Sequence, residues 1–245
     1  MKKQGKTLLV FLFLNFLFPY SGALHTQEIH SIQQNIFLAK PGDYAVFSRG
    51  TQRIFVLVKS SSINSVWLEI IDFPSLLCSE RNFLQETSWK SAIHHLKSPA
   101  TVIVIFLSKE QLKAFSLCPK TKKLYPISNA QNIPLLIKIF KIPLTPAPKH
   151  LIKMGKDHNP WSPKVTLEES STASATTEAL LGSWPKDLSI LSEADILMYF
   201  THPTISVFPL WASINTPKGP TVLRALSVGH EATSPYEYSL PEIDA

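Results

Sequence analysis

Residues 44–71 read YAVFSRGTQRIFVLVKSSSINSVWLEII and decide the predicted fold. Three runs within them, Tyr44–Ser48, Ile54–Val58 and Val66–Ile71, are rich in the β-branched and aromatic side chains that favour strands. Gly50 and a cluster of serines mark the turns between the runs. The central run is apolar throughout, which is typical of a strand buried on both faces. The stretch therefore predicts a three-stranded antiparallel meander.

The hydrophobic period changes after the meander. Apolar residues in Trp89–Leu96 recur at the i, i+3, i+4 and i+7 spacing of a helix, with Thr87 or Ser88 as its cap and Pro99 beyond its end. Thr101–Leu107 (TVIVIFL) is again wholly strand-like. The order of strand, helix and strand allows a right-handed βαβ crossover.

Two further elements complete the predicted N-terminal domain. The sequence Ser108-Lys109-Glu110-Gln111 resembles a capping box, which predicts a short helix over Lys109–Ser116. Leu135–Ile142 (LLIKIFKI) reads as a strand, and lysines within its apolar run suit an edge that must not pair further.

Pro143–Pro185 differs in kind, because it contains six prolines and the low-complexity run ESSTASATTE at Glu169–Glu178. This composition predicts an extended or disordered linker. Trp161 and Trp184 are unusual in such a segment. We expect them to dock the linker on a domain, with anchoring of a partner as the alternative.

Beyond the linker the pattern predicts a small β-hairpin unit. Ile205–Ile214 and Thr221–Val228 read as two strands joined by a turn at Thr216–Gly219, with Pro209 restricting the first strand to an edge or a bulge. Ile196–Phe200 fits either a short helix or a strand. Residues 230–245 hold two prolines and four acidic residues, which predicts a flexible acidic tail.

The predicted fold class is thus α+β. The expected layout is a signal peptide over residues 1–23, a β-rich domain with one or two helices over 35–142, a Pro/Ser/Thr linker over 143–185, a small β unit over 186–229 and the tail over 230–245. Residues 24–34 are polar and mixed, so we expect a loose mature N-terminus there.

The first 23 residues have the three parts of a secretory signal peptide. A basic start precedes the apolar run Leu8–Phe18, and Ser21-Gly22-Ala23 places small residues before a cleavage point between Ala23 and Leu24. A membrane anchor is the alternative, but a spanning helix needs about 20 apolar residues. The sequence predicts export to the periplasm or cell envelope, possible secretion, and no transmembrane helix in the mature chain.

The two cysteines, Cys78 and Cys118, are predicted to form a disulfide, because an even count in an oxidising compartment favours pairing. Two buried free thiols are the alternative. Charge is uneven along the chain: residues 24–142 carry a net +7 and residues 186–245 a net −4. The basic body and acidic tail either face one another or are separately solvated, and no motif supports nucleic-acid binding.

Familiar catalytic and cofactor motifs are absent. The sequence contains no G-x-G-x-x-G, P-loop, G-x-S-x-G or H-E-x-x-H pattern, so no cofactor is predicted. Ser183-Trp184-Pro185-Lys186 matches S-x-x-K formally, but its proline opposes the required helix. His94 and His95 are adjacent rather than four apart, and His25 and His30 lie in a polar N-terminus, so no metal site is predicted.

Two functional interpretations follow. The first is a non-enzymatic envelope or periplasmic protein that binds another protein or has a structural role. The alternative is a secreted hydrolase whose site is assembled from non-contiguous residues, with His94, His95, His202 and His230 as candidates.

The C-terminal block carries one resemblance. Phe208-Pro209-Leu210-Trp211, Arg224-Ala225 and Ser234-Pro235 resemble the tails of chlamydial exported proteins of unknown function. This resemblance is confined to about 40 of the 245 residues. It implies an intracellular Gram-negative bacterium and an envelope or secreted destination, and it implies no chemistry.

Overall fold

The computed structural model describes residues 31–74, 88–95, 101–127, 139–155, 161–167, 171–187 and 189–243. The helices whose bounds lie within these ranges are α1 (Ile32–Ile36) and α2 (Trp89–Ala92), and 3-10 turns span Ile93–His95 and Lys149–Leu151. The strands are β1 (Tyr44–Arg49), β2 (Gln52–Ser61), β3 (Ser65–Pro74), β4 (Thr101–Ser108), β5 (Leu112–Cys118), β6 (Lys123–Pro126), β7 (Thr145–Pro146), β8 (Lys164–Leu167), β9 (Ser171–Ser174), β10 (Glu178–Ser183), β11 (Asp195–Phe200), β12 (Trp211–Thr216) and β13 (Gly219–Gly229).

The predicted meander is confirmed. Strands β1, β2 and β3 pair antiparallel in sequence order, with Tyr44 opposite Leu57 and Leu57 opposite Glu69. A β-bulge interrupts the β2–β3 register between Val58 and Ser60. The central β2 run is buried as its composition predicts, with Phe55 and Val56 fully inaccessible to solvent.

The predicted βαβ crossover is wrong. Strand β4 runs antiparallel to β3, with Ser65 opposite Ser108 and Asp72 opposite Thr101. The intervening helix is only four residues long before it tightens into a 3-10 turn. Apolar content identifies a buried strand but says nothing about its direction, and antiparallel pairing is slightly the more stable of the two.

The helix predicted over Lys109–Ser116 is also wrong, because this segment is strand β5. Ser108 does use its hydroxyl as a capping residue would, and Oγ accepts the Gln111 N–H at 3.0 Å. The Ser108 N–H also donates to the Gln111 carbonyl at 2.8 Å, which closes a tight turn instead of starting a helix. Strand β5 then pairs antiparallel with β4, Ile105 lying opposite Ala114.

Strand β13 joins the two halves of the sheet. Its C-terminal half pairs with β1, where Ala45 lies opposite Val228. Its N-terminal half pairs with β12, where Ala212 lies opposite Leu223. The resulting strand order is β6-β5-β4-β3-β2-β1-β13-β12-β11-β10-β7. Strands β12 and β13 thus form a hairpin, but the predicted C-terminal unit is continuous with the N-terminal strands instead of being separate from them.

The segment predicted as a linker contributes four of these strands. Strand β10 pairs with β11 and β7, and β8 lies parallel to β13 and antiparallel to β9. Leu180 and Trp184 are buried, and Gly182 lies against the side chains of Ile142 and Leu144. Trp184 thus docks this segment on the core, as expected. Proline-rich composition concealed these strands because they are short, and because β7 and β10 lie at or next to an edge of the sheet.

One hydrophobic core spans both halves. It contains side chains from one face of β1–β5, from β10–β13 and from α1, including Phe47, Leu68 and Phe200. Of the N-terminal residues predicted to be loose, Ser31–Gln34 instead belong to the start of α1, whose Ile32 and Ile36 are buried in this core. Residues 24–30 lie outside the described residues.

The C-terminal elements follow the predicted pattern in part. Ile196–Phe200 lies in strand β11, which settles the predicted alternatives, and the hairpin turn lies between Thr216 and Gly219 as expected. The strand predicted from Ile205 begins only at Trp211, since Pro209 precedes it. Of the strand predicted over Leu135–Ile142, the described residues from Ile139 onward form a turn, in which the Ile142 N–H donates to the Ile139 carbonyl.

The predicted flexible tail is instead packed on the sheet. We call residues 230–243 the strap. Tyr236, Tyr238 and Leu240 are half-buried and alternate with exposed Glu237 and Ser239, as in an extended segment with one apolar face. That face packs on the outer side of the N-terminal strands, against a cluster that includes Trp67, Val104, Phe106 and Phe115. Covering these aromatic side chains removes apolar area from water, which composition alone did not reveal.

We expect Gly182→Ala to lower the free energy of unfolding by about 1–3 kcal/mol, because the added methyl group overpacks the core. Its Cβ would lie 2.6 Å from Ile142 Cγ2 and 3.0 Å from the Pro143 carbonyl oxygen. Urea unfolding gives the value, and Ser183→Ala on the same strand, with an exposed side chain, is the control. Equal stability of the two variants would contradict the packing of this segment.

Candidate functional site

Three aromatic rings meet on the outer side of the C-terminal strands. Tyr199 of β11 and Trp211 of β12 are cross-strand partners with ring centroids 5.4 Å apart. Trp161 lies 5.4 Å from Tyr199 and 5.7 Å from Trp211, and all three pairs are close to perpendicular. Edge-to-face geometry of this kind is the favoured arrangement of aromatic pairs.

The segment before Trp161 places a lysine over these rings. The Lys153 carbonyl accepts the Trp161 N–H at 2.8 Å, and the Lys153 N–H donates to the Tyr199 hydroxyl oxygen at 2.9 Å. The Lys153 Nζ lies 3.9 Å from the Trp211 ring centroid and 5.3 Å from that of Trp161. We call Lys153, Trp161, Tyr199 and Trp211 the aromatic patch.

Burial shapes the ionisation of this patch. Partial desolvation lowers the pKa of the Lys153 ammonium, whereas burial raises the pKa of the Tyr199 hydroxyl against the opposing effect of the Lys153 N–H. A cation above a tryptophan face gains about 0.5–2 kcal/mol, depending on desolvation. The patch therefore holds one cation by its π faces, at a position open to solvent.

The surroundings of the patch are basic and apolar. Leu151 and Met154 flank Lys153 and are exposed by 39% and 57%. Arg224 lies opposite Trp211 in the sheet, and its Nη2 donates to the Lys164 carbonyl at 3.5 Å. Tyr199 and Trp211 are buried beneath this surface, so a partner would contact Lys153, Trp161 and these exposed side chains, a composition characteristic of protein-binding surfaces.

The candidate histidines do not form one site. His94 Nε2 lies 3.2 Å from Thr233 Oγ1, and His202 Nδ1 lies 2.8 Å from Thr204 Oγ1. His95 is exposed. No group of three histidine, cysteine or acidic side chains that could hold a metal ion occurs among the described residues. His25 and His30 lie outside them.

His230 makes the one described contact between a histidine and a carboxylate. Its Nδ1 lies 2.6 Å from Oδ1 of the buried Asp43, whose other oxygen accepts the Lys40 N–H at 2.8 Å. A carboxylate at Nδ1 orients an imidazole, as in hydrolases, but catalysis also needs a nucleophile and a substrate cleft. In this fold the contact ties the start of the strap to the turn before β1.

The S-x-x-K pattern does not form a catalytic pair. Ser183 ends strand β10, and its Oγ lies 3.5 Å from Asp195 Oδ1 on the neighbouring strand. The chain then bends at Lys186 instead of forming the helix that would bring a lysine onto the serine.

Cys118 is half-buried at the end of β5 and is not bonded to another described cysteine. Hydrogen bonds from Thr121 lower the pKa of its thiol, and the charge of Lys120 adds to the effect. Cys78 lies outside the described residues, so the predicted disulfide stays a prediction. The signal cleavage point between Ala23 and Leu24 lies outside them as well.

Two cavities among the described residues offer little room for a small molecule. A cavity of about 240 Å³ lies between the β5–β6 turn and the strap, lined by Leu117, Pro119, Lys122 and residues 235–237. Pockets that bind drug-sized ligands have volumes of about 300–1,000 Å³. A second, apolar cavity of about 20 Å³ between the two halves has room for one water-sized molecule. Of the described sites, the aromatic patch is thus the better candidate for binding.

The sequence identified only part of this patch. Trp161 was singled out as an odd tryptophan, but it packs beside Tyr199 and Trp211 only because β11 and β12 are neighbours. The position of Lys153 over the rings could not be predicted from the sequence, because an isolated lysine in a proline-rich segment is ordinarily solvated.

Among the described residues, no helix has the length and apolar character needed to cross a membrane.

Comparisons with known proteins agree with the chlamydial resemblance and extend it. A family model described as CT021 protein matches residues 54–173. The solved structure of the hypothetical protein CT021 from Chlamydia trachomatis is 39% identical, with a TM-score of 0.71, and the match covers 87% of this chain and 98% of that one. No curated protein matches the chain. The likeness is thus much wider than the C-terminal block, and the chain belongs to the CT021 family of chlamydial proteins.

Proposed function

We propose that the mature protein is an exported, non-enzymatic module that binds another protein through the aromatic patch. The observation that carries this proposal is the solvent-facing cation of Lys153 held over Trp161 and Trp211, beside exposed Leu151 and Met154. A partner that displaces water from this surface makes apolar contacts there and supplies a hydrogen-bond acceptor for the Lys153 ammonium.

The location of α1 supports export with cleavage of the leader. Ile32 and Ile36 are buried in the core, and Ser31 caps the helix by accepting the Gln34 N–H at 3.2 Å. These contacts begin after the cleavage point at Ala23, so removal of residues 1–23 leaves them in place.

The sheet register supports the proposed disulfide. Asp72 of β3 lies opposite Thr101 of β4, and Ile103 of β4 lies opposite Ser116 of β5. The end of β3 and Cys118 are therefore at the same end of the sheet, two strand spacings or about 10 Å apart. Cys78 follows the end of β3 by four residues, which span up to about 14 Å when extended.

Intact mass spectrometry of the native protein tests both proposals. We expect a chain that begins at Leu24 and whose cysteines do not react with an alkylating agent until they are reduced. Reduction should lower the free energy of unfolding by about 4 kcal/mol, the value for a closed loop of some 40 residues. A native chain that begins at Met1 with two reactive thiols contradicts export and oxidation together.

Variants of the patch test the binding surface. Lys153→Glu and Trp161→Ala should each weaken partner binding about tenfold or more, because truncation at such hot spots costs about 1–2 kcal/mol or more. Proteins retained from envelope extract are identified by quantitative mass spectrometry, and the retained partner is then titrated against each variant.

Tyr125→Ala is the matched control, since Tyr125 is 51% exposed on β6 at the opposite edge of the sheet. It should bind as well as the original chain, and thermal unfolding of each variant reports whether the fold is intact. Equal retention by all variants would rule out the patch as the binding surface.

The contact between Asp43 and His230 favours the hydrolase as a second candidate. In that case a broad hydrolase screen would detect an activity that His230→Ala removes and Lys153→Glu leaves unchanged. A chain that shows this pattern of activity would favour the hydrolase over the binding module.

A further inference from the structure

The outer face of β3 contains one carboxylate where its neighbours are apolar. Glu69 is fully inaccessible to solvent and shares this face with Trp67 and Ile71. Buried, unpaired carboxylates are rare because desolvation opposes the charged form.

The strap supplies the two hydrogen bonds that Glu69 receives from described residues. Ser234 Oγ donates to Oε2 at 2.8 Å, and Tyr238 Oη donates to the same oxygen at 2.6 Å. The other oxygen, Oε1, is buried and has no hydrogen-bond partner among the described residues. An ionised carboxylate has about four acceptor positions, so half of its capacity is unused while the strap is docked.

The charged and titratable groups around Glu69 come from three elements. Lys59 of β2 and His94, just after α2, favour its ionised form by their charge. Tyr236 and Tyr238 of the strap have their pKa values raised by burial and by the nearby carboxylate, so both stay protonated at ordinary pH. Burial outweighs the hydrogen bonds and the cations and raises the pKa of Glu69.

The remaining contacts divide the strap into two parts. Its start is fixed to the turn before β1 by the His230–Asp43 contact and by the Ala232 N–H, which donates to the Gly42 carbonyl at 2.9 Å. From Thr233 onward it is held by apolar packing, the two hydroxyls on Glu69, and exposed contacts. One of these is the Lys122–Glu237 ion pair, and exposed pairs contribute little.

We propose that the strap from residue 233 to residue 243 is a proton-controlled latch, docked while Glu69 is neutral and released from the aromatic face as Glu69 ionises. Release exposes Glu69 to water, where its charge is hydrated, and uncovers Trp67, Phe106 and Phe115. This device is independent of the aromatic patch, which lies on the other half of the sheet.

The direction of the pH dependence follows from linkage. Glu69 has a higher pKa with the strap docked than with it released, so docking binds a proton. The stabilisation of the docked strap by protonated Glu69 is complete below the ordinary carboxyl pKa. It is lost as the pH rises through the pKa that Glu69 has with the strap docked. Each unit between the two pKa values changes the docking equilibrium tenfold.

Hydrogen exchange of the full mature chain tests the latch. The protection factor, which corrects for the intrinsic pH dependence of exchange, should fall for the Tyr236 amide, which donates to Ser234 Oγ, as the pH rises from about 4 to about 9. Amides of β2 should keep their protection, because release is local. In Glu69→Gln, which keeps the shape and an acceptor but cannot ionise, strap protection should not change with pH.

Two further variants keep the test decisive. Glu237→Gln removes an exposed strap carboxylate and should keep the pH dependence of the original chain. Tyr238→Phe removes a hydroxyl that favours the ionised carboxylate, so it should enlarge the loss of strap protection over the same pH range. This variant tests the latch even if Glu69→Gln fails to fold. The latch is rejected if the original chain and Glu69→Gln respond alike to pH, or if strap protection increases with pH.

Discussion

The fold depends on the main-chain pairing of one strand with both halves of the sheet. Strand β13 donates and accepts hydrogen bonds with β1 along its C-terminal half and with β12 along its N-terminal half. Without it, β1 and β12 would be open edges, which favour pairing with other chains. With it, two halves that are far apart in sequence share one core, and both the aromatic patch and the strap acquire fixed positions on its outer surface.

The N-terminal meander could be predicted from sequence because its signals are local. Continuous β-branched and aromatic runs, separated by glycine and serine turns, identify strands whatever else the chain does. The helix predicted over Lys109–Ser116 shows where local signals fail. Ser108 does bond the Gln111 N–H, but the same bond serves a turn as well as a helix, and pairing with β4 decides between them.

The linker and the tail were mispredicted for a related reason. Their compositions are typical of disorder, yet Gly182 fits against Ile142 and Leu144, and Tyr238 reaches a carboxylate 169 positions away. Contacts of this kind exist only once the sheet is closed. The same applies to the aromatic patch, because Trp161 and Lys153 contact rings of β11 and β12 that lie together only when these two strands are paired.

The pairing of β1 with β13 also bears on how quickly the chain folds. Tyr44 and Ser227 meet across 183 positions, so the sheet closes only after nearly all of the polypeptide has been synthesised. Non-local strand pairing of this kind slows folding, because the entropy of closing a long loop is lost before contacts compensate for it. A nascent chain of this topology therefore remains unfolded for longer than one whose strands pair with their neighbours in sequence.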